Sequence, residues 1–367
     1  MDNTINDDWE SFLENSKFGN LSIDNTAEEP EQSYKKTTED EDNDNSNLPK
    51  CSDIYISTKT KIAYLNSEID LYKLFWLIPV IDYETPSEGV IKKQIKISSS
   101  CKEEVKVLEE KISSYKNVFC DIIQQIDNPD ARKNKFKDIR KINIGINSKD
   151  LISYRKKKKG AFYNCFALII RIFEDNKFKE IHVKVFNTGK LEIPGIQKDI
   201  TLFYVLNKLV EIIQPFIPKK LHYDKKNIET VLINSNFSCN YIINRNKLFD
   251  ILKYKYNLHA LFDPCSYPGI QCKFYYNENK EIQDGKCNCE KKCSSKDKIC
   301  KIISFMVFRT GSVLIVGHCD ENILNIIYKF LRNLLVEEFL NIHVEDCILK
   351  EKKKKVKKKR RRQIVTW

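Results

Sequence analysis

The sequence predicts an α+β fold in which one unit occurs twice. The two pseudo-symmetric copies would join into a curved antiparallel sheet, with helices on its convex face and disordered tails outside it. Three observations predict this. KVFNTGKLEIPG (184–195) reads as strand, polar glycine turn and strand, and MVFRTGSVLIVG (306–317) repeats it. Each hairpin is preceded by a strand and an amphipathic helix. Each is followed by a long helix of apolar period. A unit this long, present twice, is a pseudo-twofold domain rather than a solenoid.

Residues 1–50 carry 14 acidic and 4 basic side chains and little apolar periodicity, so a disordered acidic tail is expected there. The first repeat is expected over 51–217. Its opening, ISTKTKIAYLNSEIDLYKLF (56–75), matches INSNFSCNYIINRNKLFDIL (233–252) at an offset of 177, with Tyr64 on Tyr241 and Leu71 on Leu248. The hairpins are only 122 apart, so the first copy holds a net 55 residues more, assigned to a helical insertion at about 80–150. Val105, Leu108, Ile112, Tyr115, Phe119 and Ile122 recur at threes and fours and predict a helix over 101–127. DITLFYVLNKLVEII (199–213) predicts a helix ended by Pro215, and 218–227 connects the copies. The second repeat is expected over 228–345, with a Cys-rich hairpin loop at 285–300. Its last helix spans 320–340, capped by Asp320. A basic tail, 351–367, follows.

The net charge of +12 is unevenly spread: −10 on residues 1–50, +9 on 351–362 and +13 between them. A basic body suits a polyanion, most simply nucleic acid. Codon bias toward Lys, Asn and Ile is the competing explanation. No apolar run reaches transmembrane length and the N-terminus lacks a secretory signal, so neither membrane association nor secretion is expected. The thirteen Cys are then expected to be reduced. No phosphate-binding glycine loop, G-x-S-x-G or H-E-x-x-H occurs, and the five His fall singly. Neither an enzyme nor a small-molecule substrate is expected.

Cys287, Cys289, Cys293 and Cys300 lie at C-x-C-x3-C-x6-C between two strands. Four thiolates at this spacing can close a structural zinc site, with Cys272 able to replace one of them. Unligated thiols are the alternative.

The pair FNTGKLEIPG and FRTGSVLIVG, the stretch CSYPGIQCKFYY (265–276) and the order strand, helix, strands, long helix resemble the TATA-box-binding protein family. That family is a saddle of two such repeats. The resemblance covers about 51–79 and 155–345. The insertion and the Cys-rich loop give the look of a divergent member, as from a large DNA virus or a protist. The resemblance implies a transcription initiation factor that binds and bends A·T-rich promoter DNA with its concave face. Phenylalanines would wedge into the minor groove.

Carried over residue by residue, Phe186 and Phe308 are the wedge candidates, with Phe162 and Tyr267 as their partners. The alternative is that all four are core aromatics. Lys190 and Arg309 are phosphate candidates, and Leu314 and Val316 apolar groove candidates. The family's base-contacting Asn positions fall on Asp53 and Thr230, and Glu192 stands where an apolar contact is expected. Implied partners are double-stranded DNA and transcription factors or RNA polymerase subunits. The implied location is the nucleus, or a cytoplasmic viral factory or virion. Two other functions stay open: a saddle-fold protein-interaction module without specific DNA binding, and a nonspecific nucleic-acid binder acting through 352–362. An apolar, basic-rimmed concave face favours DNA; an acidic or occluded one favours protein.

Overall fold

The computed structural model describes residues 49–130, 132, 135–152, 164–287, 289 and 299–344. The acidic and basic tails lie outside the described residues. The chain divides into two compact bodies. The first runs over Ile56–Asn234; the second runs from Ser235 and includes the segment up to Tyr55.

The first body contains, in order, β1 (Tyr55–Tyr64), α1 (Leu71–Leu77), β2 (Gly89–Ser99), α2 (Lys102–Ser113), β3 (Val118–Asp127), β4 (Phe136–Gly145), α3 (Ser148–Ile152), β5 (Cys165–Glu174), β6 (Lys177–Phe186), β7 (Lys190–Ile196) and α4 (Asp199–Ile213). Its strands lie in the order β3-β4-β2-β5-β6-β7-β1. β8 (Glu229–Ser238) leads into the second body. There follow α5 (Arg245–Asp250), a π-helical segment continuing it (Ile251–Lys255), β9 (His259–Leu261), β10 (Ile270–Tyr276), β11 (Lys301–Val307), β12 (Ser312–Gly317), α6 (Glu321–Glu337) and α7 (Phe339–Ile342). The strand order is β8-β12-β11-β10-β9.

These are one plan. β2-β5-β6-β7-β1 repeats as β9-β10-β11-β12-β8, with a helix after the first strand and a long helix after the last. The first body extends its sheet beyond β2 by β4 and β3. The extra segment is therefore largely strand, not the long helix expected over 101–127. Helix α2 stops at Ser113, and Asn117 turns the chain at φ 55°. Then the apolar, partly β-branched run Val118–Ile123 pairs with β4, from Val118↔Ile144 to Asp127↔Phe136. The spacing of Tyr115, Phe119 and Ile122 imitates a helical period across that break.

The structure also corrects the offset between the copies. β1 and β8 are both ten residues long and begin 174 apart. Asp70 caps α1 by accepting from the Lys73 amide at 2.9 Å, and Asn244 caps α5 from the Lys247 amide at 3.2 Å, again 174 apart. The offset of 177 paired look-alike side chains; main-chain bonds set the true register. In the first body the Leu65 amide donates to Gly189 O (2.9 Å) and the Ile69 amide to Asn187 O (2.8 Å). In the second, Cys239 donates to Gly311 O (2.9 Å) and Ile243 to Arg309 O (2.9 Å). Each hairpin turn is thus held by the chain leaving the first strand of its copy.

One face of each sheet is covered by its long helix. Leu202, Val205, Leu206, Leu209 and Ile213 of α4 pack on Phe166, Leu168, Ile170 and Ile172 of β5 and on Ile181, Val183 and Val185 of β6. In the second body Phe330 of α6 meets Phe274 at 5.3 Å, and Tyr328 meets Phe237 at 5.0 Å. Asp320 caps α6 as expected, accepting from the Ile323 amide at 2.8 Å.

Of the buried charged residues, Lys93 has no acidic partner among the described residues and lies against this core. Lys93 of β2 is fully buried, and its Nζ donates to the carbonyls of Phe75 (2.7 Å) and Ile78 (2.6 Å) at the end of α1. The aromatic faces of Phe75 and Tyr115 lie 5.0 and 5.1 Å away. Burial lowers its pKa to about 8.

Candidate nucleic-acid interface

Strand alternation sends every second side chain to the face opposite the long helix. In the second body, Ile303, Phe305 and Val307 of β11 are buried toward α6. Ile302, Ser304 and Met306 look the other way, and Phe308 follows at the strand's end. Cross-strand pairing aligns Gln271, Met306 and Leu314 in one row and Lys273, Ser304 and Val316 in the next. Phe308 is half-buried beside Tyr267, ring centroids 5.9 Å apart. The Tyr267 hydroxyl donates to Met306 Sδ at 3.8 Å. Gly269 allows this approach, since a Cβ there would stand 3.0 Å from the Phe308 ring and 3.1 Å from the Tyr267 ring. Arg309 is exposed at the turn. Leu314 is half-buried and Val316 buried.

The corresponding face of the first body is different in chemistry. Where Met306 faces Leu314, Lys184 faces Glu192, and the two form a 2.8 Å ion pair. Glu192 is thus neutralised across the strand rather than left to repel an acceptor. Phe186 is half-buried at the end of β6, with Lys190 Nζ 5.4 Å above its ring. Further along, helix α3 lies on this same face. Ser148 donates its amide (3.0 Å) and hydroxyl (2.7 Å) to Glu180, and Lys92 pairs with Asp150 at 2.6 Å. Part of the first open face is therefore covered by the added segment.

Phe162 and Cys293 lie outside the described residues. Of the other expected partners, Tyr267 and Phe308 are brought together. Asp53 precedes β1. In β8, Thr230 shares the open face with Asn234 and Asn236, both nearer mid-strand. The Asn234 amide oxygen is buried with no hydrogen-bond partner among the described residues. Met306 and Lys184 were legible by laying the hairpins together at 122; α3 was not, because its place depends on contacts with distant strands.

At the end of the β10–β11 connection, the Sγ atoms of Cys287, Cys289 and Cys300 all lie within 4.8 Å of one another. Three side chains that can hold a metal thus converge. Cys272 is not among them. It is buried in β10 opposite Phe305, and burial pushes its thiol pKa up.

Among the described residues, no helix is long and apolar enough to cross a membrane. No family model matches the sequence. Over 214 residues, 54% of this chain, it is 24% identical to a TATA-box-binding protein-like protein of Acanthamoeba polyphaga mimivirus. The chain spans about half of that relative's length, 55%. Among solved structures, the TBP of Methanococcus jannaschii aligns with a TM-score of 0.38 at 11% identity, over 78% of this chain and 99% of that one. In sequence, then, the chain is similar to a mimivirus protein described as TATA-box-binding protein-like.

Proposed function

We propose that the protein binds A·T-rich double-stranded DNA through the minor groove and bends it as a transcription initiation factor, with the second body making the wedge contact. The Tyr267–Phe308 pair on the face away from α6 supports this reading most directly. The half-buried Phe308 and Leu314, backed by the buried Tyr267 and Met306, suit a groove floor that, at A·T pairs, lacks the guanine amino group. Partial intercalation kinks the duplex, most easily at TA steps. Arg309 at the turn is placed for phosphate. Transcription factors or polymerase subunits are the protein partners of such a complex, in a nucleus or a viral factory.

Fluorescence anisotropy against A·T-rich and G·C-rich duplexes over a salt series tests it. Preference for the A·T duplex is expected, and Phe308→Ala should weaken it about tenfold, roughly 1.4 kcal/mol. Equal, steeply salt-dependent affinity for both duplexes would mean phosphate attraction alone.

A second reading applies to the first body. Its Lys184–Glu192 pair and the overlying α3 favour a face given over to protein contact. The double substitution Lys184→Met with Glu192→Leu installs the apolar pair of the second body. If that face still meets DNA, A·T affinity should rise several-fold. Unchanged affinity assigns the face to a protein partner.

A further inference from the structure

We propose that Cys287, Cys289 and Cys300 form a structural zinc site that fixes the end of the β10–β11 connection. The sequence spacing suggested thiol ligands; the structure selects three and removes Cys272. The Cys289 and Cys300 Sγ atoms stand 3.6 Å apart. In a tetrahedral site with Zn–S bonds of about 2.3 Å, neighbouring sulfurs are separated by about 3.8 Å. All three Sγ atoms lie within 4.8 Å of one another, so a modest contraction of the widest separation completes that triangle.

The chain leading up to Cys287 is tied down by its own hydrogen bonds. The Tyr275 amide donates to Gly285 O at 3.1 Å. Asp284 accepts from the Lys286 amide (3.1 Å) and from Lys280 Nζ (3.0 Å). Gln283 Nε2 donates to the carbonyls of Asn277 and Lys280 at 2.7 Å each. Cys300 is buried at the entry to β11, so one ligand is anchored to the sheet itself. On binding, each ligating thiol loses its proton to solvent and gives its sulfur lone pair to the metal, with no change of oxidation state. A fourth ligand completes the tetrahedron. The need for a metal is physical: the connection carries few large apolar residues to build a core of its own.

The test uses the full chain, purified in reductant without chelator. Elemental analysis should find about one zinc per chain. Added Co²⁺ should replace it and give an intense thiolate-to-cobalt absorption in the near ultraviolet. Cys287→Ser and Cys289→Ser, at half-buried positions, should each lose the metal and the absorption while circular dichroism shows the sheets intact. Cys265→Ser, at an exposed thiol outside the cluster, should retain both. A fully reduced chain that takes up neither zinc nor cobalt overturns the proposal. So does stoichiometric zinc that survives both cluster substitutions. Loss of DNA binding with zinc retained would bear on the wedge contact alone.

Discussion

Gly311→Ala is expected to cost about 3 kcal/mol of stability, one of the largest effects of any single substitution in the second body. Two terms combine. At φ +80° an L side chain is strained by roughly 1–2 kcal/mol. In addition, the new Cβ would stand 2.3 Å from the Tyr241 carbonyl oxygen and 2.9 Å from Cys239 Sγ. The backbone cannot yield cheaply, because the Cys239 and Ile243 amides are bonded to the turn on either side of it. Gly195→Ala is the internal control. Its φ is +86°, but nothing lies within 4 Å of a Cβ there, so strain alone should appear. Denaturant unfolding gives the two costs, and hydrogen exchange at Cys239 and Ile243 localises the first. Equal costs at Gly311 and Gly195 would show that the close contact contributes nothing.

The buried Lys93 gives the second large effect, a pH dependence. Its folded pKa of about 8 lies below its ordinary 10.5. Below about pH 8 the amine is protonated in both folded and unfolded chains, and the full cost of burying the charge is present. Between pH 8 and 10.5 the folded chain has released a proton that the unfolded chain still holds. The unfolded state then binds more protons, so stability rises with pH across this window. The gain is roughly 3 kcal/mol, complete once pH passes 10.5. Tyrosines and cysteines titrate in the same range, so the readout is the difference between the wild type and Lys93→Met. Urea unfolding at about pH 7 and about pH 10.5 should show that difference shifting in favour of the wild type. A difference that stays flat would mean that Lys93 keeps an ordinary pKa through its two carbonyl partners.

Elements that depend on local signals were legible in the sequence. The two glycine hairpins, the helix over 199–213 and the Asp320 cap all rest on residues within a turn or two of each other. What the sequence misplaced depends on distant partners. β3 is a strand because β4 is there to pair with it, and its apolar spacing alone reads as helix. Helix α3 reaches the open face through Glu180 and Lys92, 32 and 58 residues from the groups they hold. The resemblance named Tyr267 as a partner of the Phe308 position; that the two rings lie 5.9 Å apart, with room left by Gly269, follows only from the fold. The thiol cluster was half legible, since spacing named the candidates and only the fold set Cys272 aside.

The main-chain clasp between each hairpin turn and the exit of its first strand determines how the two copies can diverge. Asn187 and Arg309 occupy the same place and share no chemistry, yet each offers only its carbonyl to the clasp. A register stored in carbonyls and amides is blind to side-chain identity, except where a side chain would intrude. Substitutions can therefore accumulate across both faces without slipping a strand, provided the two glycines remain. One copy is free to trade apolar residues for an ion pair and accept a helix over its open face, while the other keeps its aromatic edge. The duplicated architecture thus tolerates a division of labour between its halves at little cost to folding.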